Sequence, residues 1–189
     1  MFSIDEKTGV QAKSRTNPTR PATPADGDTP GRPTQQEFEY RRHGTQALFA
    51  AFDCATGEVH GQPTESTRSV NFVSFLADLE AQVPAHMEMH CIIDNLSAHG
   101  TPGVEAFLDQ HPRVFLHRTP THASWLNQVE CWFSILQRRV IRYGDFANAD
   151  VLSERVIGFA TLWNEVEAHP FRWTWRSDRV EAPRRNAAA

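Results

Sequence analysis

The chain alternates short apolar runs, bounded by turn residues, with longer stretches whose apolar positions fall three and four apart. The runs are Met1–Ile4, Gln46–Cys54 (QALFAAFDC), Met87–Ile93 and Val114–His117, all of strand length. Glu58–Glu65 is expected to return as the hairpin partner of Gln46–Cys54, because Ala55-Thr56-Gly57 supplies the glycine a tight turn uses. Thr67–Gln82 carries Val70, Phe72, Val73, Phe75, Leu76 and Leu79 at helical spacing, with a Ser/Thr start and Pro84 beyond its end. Pro102–His111 reads as a short helix with proline in its first turn. Leu126–Tyr143 reads as a helix closed by Gly144. Asn148–Ala168 reads as another, with Val151, Leu152, Val156, Phe159, Ala160 and Trp163 along one side.

Between the first two runs lies Thr16–Gln35, which holds five of the twelve prolines and reads as a long extended loop. Thr119-Pro120-Thr121-His122 reads as a turn. The order is strand, loop, hairpin, then strands alternating with helices. That order predicts an α/β fold, a mixed five-stranded sheet with helices on both faces. One domain is expected over residues 1–175, with a frayed tail over 176–189. Trp173 and Trp175 are expected to pack the last segment onto the core.

With 189 residues, 40% of them apolar, the chain can bury a core of ordinary size. No apolar run approaches the roughly 20 residues of a membrane helix. The start lacks the basic and apolar regions of a signal peptide, so a cytoplasmic protein is expected. Cys54, Cys91 and Cys131 are scattered and form no Cys-x-x-Cys pair; they read as small buried residues of a reduced compartment. The net charge of −4 is unusual for a nucleic-acid binder, yet the arginines fall in a few patches: Arg15, Arg20 and Arg32, then Arg41 and Arg42, then Arg138, Arg139 and Arg142. No glycine-rich phosphate loop, Gly-x-Ser-x-Gly elbow or Cys/His dyad is present.

Three acidic residues stand out. Asp5 closes the first apolar run, and Asp94 closes Met89–Ile93. Glu130 sits among apolar residues of the predicted helix, with Asn127 one turn before it. Carboxylates at strand ends line the crevice where open α/β sheets place ligands, and three of them suit a hard cation such as Mg²⁺. A competing zinc set is His86, Glu88 and His90, alternating on one predicted strand face.

The strings IDEK, RRHGT ahead of ALFAAF, IIDNLSAH, TPTHASWLNQVECWFSIL and FRWTW resemble the catalytic domain of bacterial insertion-sequence transposases of the mariner superfamily. The resemblance runs from about Asp5 to Trp175, and the 35 residues between Asp94 and Glu130 match the family's separation. It implies a ribonuclease-H-like fold with Asp5, Asp94 and Glu130 as the catalytic, metal-binding triad. It also implies two Mg²⁺ or Mn²⁺ ions, DNA as substrate, cleavage and strand transfer at element ends, and a homodimer. Arg15, Arg20, Arg32, Arg41, Arg42, Arg138 and Arg139 become DNA-binding candidates, and His99 a residue touching phosphate or bracing the site. Relatives carry an N-terminal helix-turn-helix region that is missing ahead of Asp5. The chain is therefore expected to work with a separate recognition subunit or upstream frame, or to be an inactive remnant that only binds DNA. A ribonuclease or resolvase on the same fold is a third reading.

Overall fold

A computed structural model describes residues 1–35, 37, 39–120 and 126–172. Five strands form one mixed sheet: β1 (Phe2–Arg15), β2 (Tyr40–Asp53), β3 (Val59–Thr64), β4 (Met89–Ile93) and β5 (Val114–Arg118). Their spatial order is β3-β2-β1-β4-β5. The first three strands are antiparallel, and β4 and β5 run parallel to β1. Four α-helices lie among the described residues: α1 (Ser69–Gln82), α2 (Pro102–Gln110), α3 (Val129–Leu136) and α4 (Ala149–Leu162).

Strand alternation divides the core in two. Ile4, Phe49 and Ala51 face α1 and α2, where Phe72, Phe75, Leu76 and Phe107 pack. Leu48, Ala50 and Phe52 face α3 and α4, against Trp132, Phe133, Leu152 and Trp163. β2 is thus apolar on both faces, which explains its unbroken run of buried residues. Trp132 and Trp163 are fully buried, and truncating either to alanine would cost about 3–5 kcal/mol.

Several expected boundaries move. β1 is far longer than Met1–Ile4, so Asp5 is the fourth residue of a fourteen-residue strand and not its last. Pairing with an equally extended β2 carries it past the polar residues that seemed to end it. A bulge between Lys7 and Val10 interrupts that pairing, and Gly9 (φ 68°) supplies its left-handed backbone. The single helix expected over Leu126–Tyr143 is α3 followed by a π-helical turn, Gln137–Ile141. The last helix likewise widens into a π turn at Trp163–Glu167 after α4. Asn148 is the cap of α4, its side chain accepting from the Val151 amide, and not part of the helix. β4 starts at Met89, leaving His86 in a turn and Glu88 ahead of the strand.

Thr16–Gln35 is more ordered than the loop expected. Arg20 pairs with Gln35, Thr23 with Arg32 and Asp26 with Thr29, each through two backbone hydrogen bonds of 2.9–3.1 Å. The pairs recur every third residue, not every second. That is the threefold repeat of polyproline II, which keeps proline nitrogens away from donor positions. Pro21, Pro24, Pro30 and Pro33 each follow a paired residue, and Gly27 (φ 55°) turns the tip. The result is an exposed two-stranded arm that adds no side chain to either core. Excising Pro18–Thr34 and closing the gap with a Gly-Gly turn is expected to change the unfolding free energy by less than about 1 kcal/mol in urea denaturation. A loss of several kcal/mol would contradict an arm that stands apart from the core.

Candidate active site

The site grows from the meeting of β1, β4 and the start of α3. On β1, Ser3, Asp5 and Lys7 share the face that packs α3, since they pair with Phe52, Ala50 and Leu48. Asn127, 1% exposed, joins the helix to this face. Its amide nitrogen donates to the Ile4 carbonyl at 2.9 Å and to Asp5 Oδ2 at 3.0 Å. The Ser3 hydroxyl donates to Asn127 Oδ1 and accepts from the Val129 amide at 3.0 Å, which satisfies one of the free N–H groups at the helix start. These bonds fix the first turn of α3, and with it Glu130, beside Asp5.

β4 brings the third carboxylate. Phe2 lies opposite Cys91 and Ser3 opposite Ile92. The same parallel register, continued two residues, sets Asp5 opposite Asp94. Asp94 Oδ1 accepts from the Leu96 amide at 2.9 Å, which turns the chain sharply after the strand. The turn is anchored to the end of β5 and the residue after it: Asn95 Nδ2 donates to the Thr119 carbonyl at 2.6 Å and Arg118 Nη2 to the His99 carbonyl at 3.1 Å.

Electrostatics bind the three acids together. Asp5 is 8% exposed, and its pKa is pushed up to about 7. Desolvation is the main cause, and the negative charges of Glu6, Glu130 and Asp94 add to it against a hydrogen bond from the Glu6 amide. Asp94 and Glu130 are therefore both within electrostatic reach of Asp5. Among the described residues no three His, Cys, Asp or Glu side chains stand in a finished ligand set, and Glu130 is exposed. The donors present nonetheless fit a divalent cation. They are all oxygen, and a dication would relieve the charge that Asp5 now carries at a cost.

Two residues beyond the predicted triad belong to this centre. Glu6 lies on the opposite face of β1, and His99, 2% exposed, lies on the 3-10 turn Ser97–Gly100. His99 Nε2 is 3.4 Å from Glu6 Oε2, and Nδ1 is 3.2 Å from Asp94 Oδ1. None of these three buried atoms, Nε2, Nδ1 and Glu6 Oε2, has an aligned hydrogen-bond partner among the described residues, so the imidazole meets both carboxylates at ion-pair distance. Burial lowers the His99 pKa, but the two carboxylates outweigh it and the net shift is upward. Glu6 carried no sequence signal, since Asp5-Glu6-Lys7 looks like a solvated turn. Asn127 was visible as a neighbour of Glu130, though not as the joint to β1.

The other candidates fall elsewhere. His86 and Glu88 are exposed and His90 contacts His117 across β4 and β5 at 3.0 Å, so the competing set of His86, Glu88 and His90 does not assemble. Glu88 instead touches the other His90 nitrogen at 3.2 Å. Cys131 is exposed and Cys54 half-buried; only Cys91 is the buried thiol expected, its pKa pushed up to about 12 by burial. Arg15 donates to the Glu37 carbonyl at the arm's root, and Arg20 and Arg32 lie exposed on the arm. Arg42 lies over the Tyr40 ring at 5.8 Å. Arg41 and Arg138 are exposed, and Arg139 is paired with Glu167 at 2.6 Å. Trp173 and Trp175 lie outside the described residues. No described helix is long and apolar enough to cross a membrane.

The fold is that of integrase catalytic cores, which are ribonuclease-H-like. The catalytic core domain of BIV integrase superposes with a TM-score of 0.51 at 14% identity, over 68% of this chain and 82% of that one. A chain of the simian T-cell lymphotropic virus intasome in complex with PP2A regulatory subunit B56 gamma matches with a TM-score of 0.49 at 17% identity. That match spans 60% of this chain and 41% of the viral one, about two fifths of its length. No curated protein matches. The family described as DDE superfamily endonuclease matches residues 3–153, and the chain belongs to it.

The raised Asp5 pKa sets a sign for stability. The folded form keeps a proton between about pH 4 and 7 that the unfolded chain, with its ordinary value of 3.8, releases. The contribution is therefore full below about pH 4 and lost as pH rises through 7. In EDTA at pH 8, Asp5→Asn is expected to unfold at a higher temperature than the wild type, with a gain of about 1–4 kcal/mol that shrinks toward pH 4. A pH-independent difference in thermal melts would contradict this.

Proposed function

We propose that the chain is the catalytic domain of an insertion-sequence transposase that cleaves DNA strands and joins them to a target, using Mg²⁺ or Mn²⁺. The observation that supports the reading is that a buried Asp5, charged only at a cost, lies within electrostatic reach of Asp94 and Glu130 in a DDE-family fold. Asp5 and Asp94 would hold the ions from the sheet, and Glu130 would swing in from the exposed first turn of α3. Two bound divalent ions would lower the pKa of an attacking hydroxyl and stabilise the departing 3′-oxygen. Asn127 keeps Asp5 oriented, and the buried Ser3 and Asn127 pair excludes water from behind it. Arg20 and Arg32 on the arm, with Arg15 at its root, would meet DNA phosphates, as would Arg41, Arg42 and Arg138. Arg139 would do so only after leaving Glu167. Action on paired element ends calls for a homodimer, and recognition of those ends for a helix-turn-helix segment or subunit.

One observation favours a second reading, a DNA-binding remnant without catalysis: the described residues hold no finished ligand set. The two readings part in one assay. Purified protein with supercoiled plasmid and Mn²⁺ is expected to nick DNA, and Asp94→Ala to nick it slower by more than the ~100-fold that losing a ligand's outer partner costs. Salt-sensitive retention of DNA by both proteins, with equal or absent nicking, would establish the remnant.

A further inference from the structure

His99 has no part in the metal-binding triad, yet it is among the most deeply buried polar residues of the protein. Its ring is wedged against Phe72 of α1 with centroids 4.2 Å apart. The Arg118 guanidinium holds its carbonyl, and a Cβ on the next residue, Gly100, would come within 2.9 Å of that guanidinium. The imidazole is therefore fixed from three sides: below by Phe72, along the backbone by Arg118, and at Nε2 by Glu6. Its remaining atom, Nδ1, faces Asp94 Oδ1. That same oxygen accepts from the Leu96 amide. Both contacts thus fall on Oδ1, and no described residue is hydrogen-bonded to Oδ2, the oxygen left to meet a ligand.

The geometry points to His99 as a positioning residue: fixed by Glu6 from beneath the sheet, it locks the Asp94 carboxylate so that Oδ2 faces a divalent cation. This rests on the reading of Asp94 as a metal ligand. A ligand carboxylate free to rotate must be ordered when the ion arrives, and outer partners that remove this freedom are worth about 10–100-fold in metal affinity. The arrangement also explains a buried Glu6 whose Oε2 finds no hydrogen bond, because its role is to face the far end of the imidazole.

The two ring nitrogens allow a test that separates positioning from packing. An asparagine amide can occupy the place of Nδ1, and a glutamine amide that of Nε2. Mn²⁺ binding by the purified full chain, read by the loss of the free-ion electron paramagnetic resonance signal, is compared for wild type, His99→Asn and His99→Gln. The expected result is that His99→Asn stays within about 3-fold of wild type while His99→Gln binds about 10–100-fold more weakly. Equal affinities in the two variants, whether retained or lost together, would overturn the proposal, as would the reverse order. Glu6→Gln keeps the volume and removes the charge beneath the ring. It is expected to weaken Mn²⁺ binding about 3–10-fold, and unchanged affinity there overturns the proposal even if the His99 variants do not fold. Asp94→Asn tells the two levels apart: wild-type Mn²⁺ affinity in that variant would fail the metal reading itself, whereas its loss beside an unaffected His99→Gln would fail only the role of His99.

Discussion

The docking of Asn127 onto β1 is the constraint on which the rest of the site depends. One buried amide satisfies the Ile4 carbonyl, Asp5 and the Ser3 hydroxyl at once, while Ser3 takes up the Val129 amide at the start of α3. A buried polar group without partners costs about 1–3 kcal/mol, so this small network tolerates few alternative placements of the helix. Because Glu130 follows three residues later, the same bonds that close the core also set a carboxylate at the sheet's edge. Structure and site are here one set of contacts.

That economy has an electrostatic consequence. Burial makes the charge of Asp5 expensive, and Glu6, Glu130 and Asp94, gathered where β1 and β4 run parallel, add their repulsion to it. The chain partly offsets the charge with His99, placed between Glu6 and Asp94, whose pKa those two carboxylates raise. The remaining excess falls on Asp5, which holds its proton far longer than an exposed aspartate would. A divalent cation would relieve this strain, and the ligand atoms the three acids offer it are hard carboxylate oxygens.

Much of this was legible in the sequence, for identifiable reasons. The apolar run of β2 and the helical spacing of α1 are strong local signals, and both elements lie where those patterns put them. Asp94 was visible because an apolar strand ends on it. β1 was not legible beyond Ile4, because its later residues (Lys7, Thr8, Gln11, Lys13) are polar and are held as a strand by pairing with β2, not by their own preference. The arm's period-three pairing escaped notice because prolines signal only the absence of ordinary strand. Glu6 and His99 meet through packing of residues 93 positions apart, and nothing local announces such a contact. The family match over residues 3–153 spans all three acids, and the strand order β3-β2-β1-β4-β5 sets β1 beside β4 although the two are distant in sequence.

The most direct measurement is anomalous diffraction from a crystal of the protein grown with Mn²⁺, which locates bound manganese without reference to activity. The account predicts anomalous density touching Asp5, Asp94 and Glu130, with Asp94 bound through Oδ2. Manganese found only at His90 and His117, or none at the three acids at saturating concentration, would contradict it.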